Sequence, residues 1–183
     1  MKKPYFSIFE LILLTLFSTL VVVMKIALRL PLKLPGHSGI FWMTVFVITA
    51  GIVPKLGATL LVGVSSGILA AFLGMGDFGA LNTFLSYTMV GLGVEFALWL
   101  VKDPEKIVPA AFIGIFGHVG KFLVKWAMGL ITGAPVGIIA LGMAYSLLSY
   151  IVFGALGGIL GCLTLKALRK AGFFVYLSEK RVA

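Results

Sequence analysis

The sequence predicts an all-α, polytopic membrane bundle of about six transmembrane helices, with both termini cytoplasmic. Three observations predict it. Of the 183 residues, 61% are hydrophobic and only 11% are charged, whereas a soluble domain carries about 45–50% apolar and about 25% charged residues. Such a chain lacks the polar groups to cover a water-facing surface. Apolar runs recur near the length of about 20 residues that crosses a hydrocarbon core of about 30 Å. Between them, glycine and proline clusters break the helical pattern. Six spans use roughly 120 residues, so residues 1–183 are expected to form a single integral-membrane domain of the cell membrane. A soluble enzyme, a disordered tail and a disulfide scaffold are excluded together. The one cysteine, Cys162, lies in an apolar run and has no intrachain mate.

The elements follow in order. Met1-Lys2-Lys3 and the apolar run after it imitate a signal peptide, but Glu10 interrupts the start and no small-x-small cleavage site follows. The sequence therefore predicts a retained first helix, Ser7 to Leu30. Pro31, Pro35, Gly36 and Gly39 forbid a regular helix in the next stretch. A second helix, Ile40 to Val53, is short for a full span and is expected to be tilted or buried. Pro54-Lys55 turns the chain into a third helix, Gly57 to Leu73, and Gly74, Gly76 and Gly79 turn it again. The fourth helix covers Leu81 to Val101. Lys102-Asp103-Pro104-Glu105-Lys106 is the most polar piece of the chain and reads as a loop in water. The fifth helix runs from Ile107 to Ile131. After Thr132-Gly133-Ala134-Pro135, the sixth covers Val136 to Leu165, and a basic tail follows.

The formal net charge of +9 would suggest nucleic acid on a soluble protein. In a membrane it orients the bundle, and no nucleic-acid partner is expected. With six spans, Lys2, Lys3, Lys55, Lys102, Lys106, Lys166, Arg169, Lys170, Lys180 and Arg181 fall on the side of the termini. The positive-inside rule makes that side cytoplasmic. Lys25, Arg29, Lys33, Lys121 and Lys125 fall on the other, where topology does not require them.

Ionisable groups inside a span cost about 2.5–3.5 kcal/mol each and point to function. Glu95 lies in the body of the fourth helix. His118, Lys121 and Lys125 lie on one face of the fifth, by their spacing of three and four. That face is expected to look into a polar cavity or at a partner such as Glu95. Structural pairing, or lysines reaching the surface, is the alternative. The loop Pro35-Gly36-His37-Ser38-Gly39, followed by Trp42, places an imidazole, a hydroxyl and an aromatic ring at the mouth of the bundle. Tyr145, Ser146, Ser149 and Tyr150 form a polar cluster in the sixth helix, and Ser86 and Tyr87 a smaller one in the fourth. The candidate ligand-binding residues are therefore His37, Trp42, Tyr87, Glu95, His118, Lys121, Lys125, Tyr145 and Ser149. Two histidines with no cysteine nearby argue against a metal, and no cofactor is expected. Gly63 and Gly67 in the third helix, and Gly154, Gly157, Gly158 and Gly161 in the sixth, make small-residue ridges for close helix approach. No acidic metal cluster, HExxH, G-x-S-x-G or Walker motif occurs, so no enzyme is expected, and uphill transport would draw on a gradient or another subunit.

The chain resembles the small substrate-binding (S) subunits of energy-coupling factor vitamin transporters, nearest the thiamin and hydroxymethylpyrimidine branch. The stretches that carry the resemblance are Ser38-Gly39-Ile40-Phe41-Trp42, Pro54-Lys55-Leu56-Gly57-Ala58, Leu73-Gly74, Val90-Gly91-Leu92-Gly93-Val94-Glu95 and Phe153-Gly154-Ala155-Leu156-Gly157-Gly158. The resemblance implies a six-helix bundle that binds one small vitamin-like molecule near its outer side. It implies that residues Pro35 to Gly39 form a lid. It also implies docking onto a membrane coupling subunit and two ATPases, with toppling in the membrane to release substrate inside. Docking in the family uses small residues on the first helix, and here only Thr15, Ser18 and Thr19 are offered. A cationic thiamin would call for acids in the third helix, which instead carries Val64, Ser65 and Ser66. With the outer cations, this favours a neutral or anionic ligand. Two other functions fit the composition: a membrane scaffold that uses its glycine ridges, and a self-sufficient gradient-driven carrier.

Overall fold

The computed structural model describes residues 4–28, 34–76, 78–133 and 136–173, with the side chains of 136–141 left aside. Among them are six α-helices and no strand: α1 (Ile8–Ala27), α2 (Gly39–Ile52), α3 (Ala58–Phe72), α4 (Gly79–Val101), α5 (Ile107–Ile131) and α6 (Val136–Lys170). The expected cations Lys2, Lys3, Arg29, Lys33, Lys180 and Arg181, and the Ala134-Pro135 turn, lie outside the described residues.

Local chemistry sets the ends. The Ser7 hydroxyl accepts the Glu10 N–H at 3.2 Å, and the Glu10 carboxylate accepts the Ser7 N–H at 2.7 Å, a reciprocal cap on α1. Glu10 also pairs with Lys55 at 2.6 Å, so this intrahelical acid ties the chain start to the α2–α3 turn. The sixth helix runs past the expected Leu165 to Lys170 because packing and pairing continue. Leu165 is fully buried, and Arg169 holds Glu105 at 2.6 Å and donates to the Gly51 carbonyl at 3.2 Å.

Four stretches are long and apolar enough to cross a membrane: α1, α4, α5 and Gly142–Lys170 of α6. The chain is thus a helical membrane bundle. With 14 and 15 residues, α2 and α3 reach only about 21–23 Å at 1.5 Å per residue. The shortness of α2 goes with its position. Every residue from Trp42 to Val53 is buried, as expected for a helix that is apolar all round. Around it, α1 packs on α3, α3 on α4, α4 on α5 and α5 on α6, while α2 lies against both α1 and α6.

Glycine lets these backbones meet. A Cβ on Gly63 would stand 2.6 Å from the Tyr87 carbonyl oxygen, and one on Gly67 2.9 Å from that of Phe84, so α3 rides on α4. The α6 ridge has two sides. Gly154 and Gly158 abut Gly114 and Ala110 of α5, while Gly157 and Gly161 abut Ile40, Met43 and Val47 of α2. Across the second contact the Thr44 hydroxyl donates to the Gly157 carbonyl at 3.2 Å. All six predicted packing glycines serve contacts inside this chain. The Glu10–Lys55 and Arg169–Glu105 pairs also place the start of α1 and the end of α6 at one end of the bundle, beside the loop at 102–106.

Candidate functional site

At the opposite end, where α2 and α3 stop short, a cavity of about 210 Å³ opens into the bundle. It draws on five helices, the loop before α2 and the turn between α3 and α4. Lys25 comes from the last turn of α1, and His37 and Ser38 from the loop. Trp42 comes from α2, Tyr87 from α4, His118, Lys121 and Lys125 from α5, and Tyr150 from α6. Three aromatic rings, Trp42, Tyr87 and Tyr150, stand among a majority of polar side chains, a more polar lining than the mostly apolar one usual for small-ligand pockets. The cavity volume lies below the roughly 300–1,000 Å³ of pockets for drug-sized molecules, so it suits a small solute.

Helical periodicity explains the α5 contribution. His118, Lys121 and Lys125 share a face, and α5 is packed so that this face looks inward. His118 is fully buried. Its Nδ1 lies 2.9 Å from the Tyr150 carbonyl, which can only accept, so Nδ1 carries the proton. The ring meets Trp42 edge-on at 5.1 Å and lies over Tyr150 at 4.5 Å between centroids. The Lys121 ammonium sits 4.6 Å from the centroids of both Trp42 and Tyr87. Two aromatic faces there supply part of the stabilisation that water would otherwise give. The indole Nε1–H of Trp42 and the hydroxyl of Tyr87 are buried and have no hydrogen-bond partner among the described residues.

The loop closes over this chamber. Gly36, at φ +76°, turns the chain back in a conformation that favours glycine. A Cβ there would stand 3.1 Å from both His118 and Tyr150, and one on Gly39 would land on the His118 ring. Lys25 donates to the Ser38 hydroxyl at 2.8 Å, and the Ser149 hydroxyl donates to the Pro35 carbonyl at 2.6 Å. His37 Nδ1 lies 2.6 Å from the Leu34 carbonyl. Pro35 to Gly39 thus forms a cover latched to α1 and α6, and Ser149 belongs to the latch.

Three predicted ligand residues are absent from the cavity lining: Ser149, which bonds the loop instead, Glu95 and Tyr145. Glu95 does not face the α5 lysines. Its carboxylate accepts from the Thr59 N–H at 3.0 Å and the Thr59 hydroxyl at 2.9 Å. The α3 N-cap is Gly57, which has no side chain to offer, so an acid from α4 satisfies the helix start instead. Glu95→Gln is expected to lower stability by about 1 kcal/mol while leaving the cavity intact. A thermal melt of the purified variant checks this. Tyr145 is more than half exposed, because the first turns of α6 outrun their neighbours. It shares a helix face with Ser149 without sharing its surroundings. On α1, Ser18 turns into the bundle and bonds the Leu14 carbonyl at 2.7 Å, which leaves Thr15 and Thr19 outside.

The lining also holds residues that sequence reasoning missed. Asn82 and Thr83 of α4 line the cavity, and the Thr83 hydroxyl donates to the Met75 carbonyl. The signal was one turn away. Ser86 and Tyr87 lie four residues on from Asn82 and Thr83, on the same helix faces. No lining residue among those described is acidic, and no group of three His, Cys, Asp or Glu side chains that could hold a metal occurs among the described residues. Beside the chamber, an apolar hollow of about 300 Å³ between α5 and α6 shares Lys125 and Tyr150 with it. In comparisons with known proteins, the chain matches no family model, no curated sequence and no solved structure.

Proposed function

We propose that the chain is the solute-binding membrane subunit of an importer of the energy-coupling factor type, and that it takes up a small vitamin or vitamin precursor. The observation that carries the proposal is the covered polar cavity at one end of a membrane bundle. A packed scaffold has no use for a chamber that leaves the Trp42 Nε1–H and the Tyr87 hydroxyl unmet by the described residues, since each such buried group costs about 1–3 kcal/mol. The covering loop with its two latching hydrogen bonds supports capture from the side of the cavity. The charge distribution supports cytoplasmic termini, and the sequence resemblance supplies docking onto a coupling subunit and energy from two ATPases. Thr15 and Thr19, outside on α1, remain available for such docking.

The test is a gentle pull-down of the tagged chain from its native membrane, with protein identification. Recovery of a polytopic coupling subunit together with ATPases is the expected result. Recovery of the chain alone, with ion-gradient-driven uptake by the chain alone in liposomes, would establish a self-sufficient carrier instead.

A further inference from the structure

We infer that the solute taken by the cavity carries a hydrogen-bond acceptor, a carbonyl oxygen or an unprotonated ring nitrogen, which the indole Nε1–H of Trp42 receives with the Tyr87 hydroxyl beside it. The inference rests on the solute-binding reading above and sharpens it to a subsite and to the polarity of the ligand atom that fills it.

The first observation is where the fold leaves groups unmet. Within the lining, Thr83 bonds the Met75 and Gly79 carbonyls, Ser38 takes a bond from Lys25, and His118 bonds the Tyr150 carbonyl. The Trp42 Nε1–H and the Tyr87 hydroxyl have no such partner among the described residues. Buried indole and phenol groups ordinarily find one. The two side chains are only 1% and 2% exposed, so bulk water does not serve them. Both line the cavity.

The second observation is that the two groups share a corner. Trp42 stands on α2 and Tyr87 on α4, and their ring centroids lie 6.0 Å apart with the planes at 60°. The third is that protein already packs on these rings. The Lys121 ammonium stands over both, 4.6 Å from each centroid. His118 and Phe46 flank Trp42 at 5.1 and 6.2 Å. None of these neighbours supplies an acceptor to Nε1. A solute is therefore received at the ring edges rather than stacked between the rings, and the edges carry the N–H and the O–H.

The polarity follows from the donor. An indole N–H can only donate, so the atom placed against it must offer a lone pair, while the Tyr87 hydroxyl can donate or accept. A hydrocarbon or an ammonium group in this corner would leave the N–H unmet. A site built to make a hydrogen bond rejects the analogue that lacks its half.

The experiment uses the full chain in nanodiscs with isotope-labelled tryptophan, and the probe is a small-molecule extract of its native cells. The three tryptophans give three indole N–H resonances. Trp99→Phe and Trp126→Phe, on the outer surface and outside the cavity lining, identify two of them and should respond like the parent. The Trp42 resonance is thus assigned without touching the site. The extract is expected to raise the unfolding temperature and to move the Trp42 indole proton downfield while the other two stay. Tyr87→Phe removes one oxygen atom. Without extract it is expected to unfold no earlier than the parent, because it discards an unmet group. With extract, half the response is expected to need roughly 10-fold more of it, and Trp42→Phe at least as much. Mass spectrometry of the molecule released by heating tells a carbonyl from a ring nitrogen. A stabilising extract with a stationary Trp42 resonance, or a released molecule without an acceptor, overturns the acceptor assignment while the solute-binding reading stands. A Tyr87→Phe chain that unfolds well below the parent without extract, or does not fold, shows the hydroxyl held by the protein itself and overturns the Tyr87 contact. No response of the parent to the extract overturns both readings.

Discussion

Gly158→Leu is expected to abolish the fold or to lower its stability by about 3 kcal/mol or more, at the upper end of what overpacking costs. The reason is what faces that position. A Cβ on Gly158 would land on the Ala110 carbonyl and stand 3.0 Å from the Ala111 Cα. These are backbone atoms of α5, which cannot turn aside as a side chain can. The opposed Gly114 and Gly154 leave no slack, since a Cβ on Gly154 would stand 2.7 Å from the Gly114 carbonyl oxygen. The two helices would have to separate. His118, one turn on from Gly114 and itself within reach of a Cβ on Gly154, would move with α5. Gly142→Ala is the matched control. It lies in the same helix with nothing within 4 Å of its would-be Cβ, and alanine is the better helix former there by up to about 1 kcal/mol. Thermal unfolding and size-exclusion profiles of the two variants decide the matter, and equal melts would show that the α5–α6 seam is not tight.

The second large effect is expected at the cover. Gly39→Ala places a methyl group on the His118 imidazole, with Nδ1 only 3.0 Å away. That ring is bonded to the Tyr150 carbonyl at 2.9 Å and confined by Trp42 and Tyr150. Either the ring leaves its bond or the cover lifts, at a cost of about 1–3 kcal/mol. His118→Ala in the same chain removes the obstacle. The double variant is therefore expected to be more stable than the sum of the single losses predicts, by a coupling of about 1–2 kcal/mol. Unfolding temperatures of the four proteins give the cycle. Strict additivity would mean that Gly39 and His118 do not touch.

Much of this was legible in the sequence, because the bilayer imposes a simple grammar. Run length and Gly/Pro punctuation place five of the six helices within a few residues at both ends. The sixth runs on where Arg169 finds Glu105, a partner more than sixty positions away that no local pattern announces. The α5 face was legible for a local reason: the ionisable side chains at 118, 121 and 125 repeat with the helix and cannot all meet lipid. Glu95 was misplaced for the opposite reason. Its partner is the first turn of α3, and the clue was the missing cap at Gly57, a residue on another helix. Tyr145 and Ser149 show the limit of periodicity. Spacing says which side chains share a face, but the length of the neighbouring helices says what that face meets.

The latched cover also has a consequence in time. Passage beneath Pro35 to Gly39 would require Lys25–Ser38 and Ser149–Pro35 both to part. At about 1 kcal/mol each, they leave the open form at a few per cent of the population. Entry slows by the same factor, roughly 30-fold, because only the open fraction is competent. Departure slows as well, since a bound molecule leaves only through the same rare opening. A subunit of the kind proposed above captures its cargo in one encounter and surrenders it in another, after a wait for its motor. For such a subunit, two hydrogen bonds in the cover would lengthen the stay of the cargo without adding a contact to it.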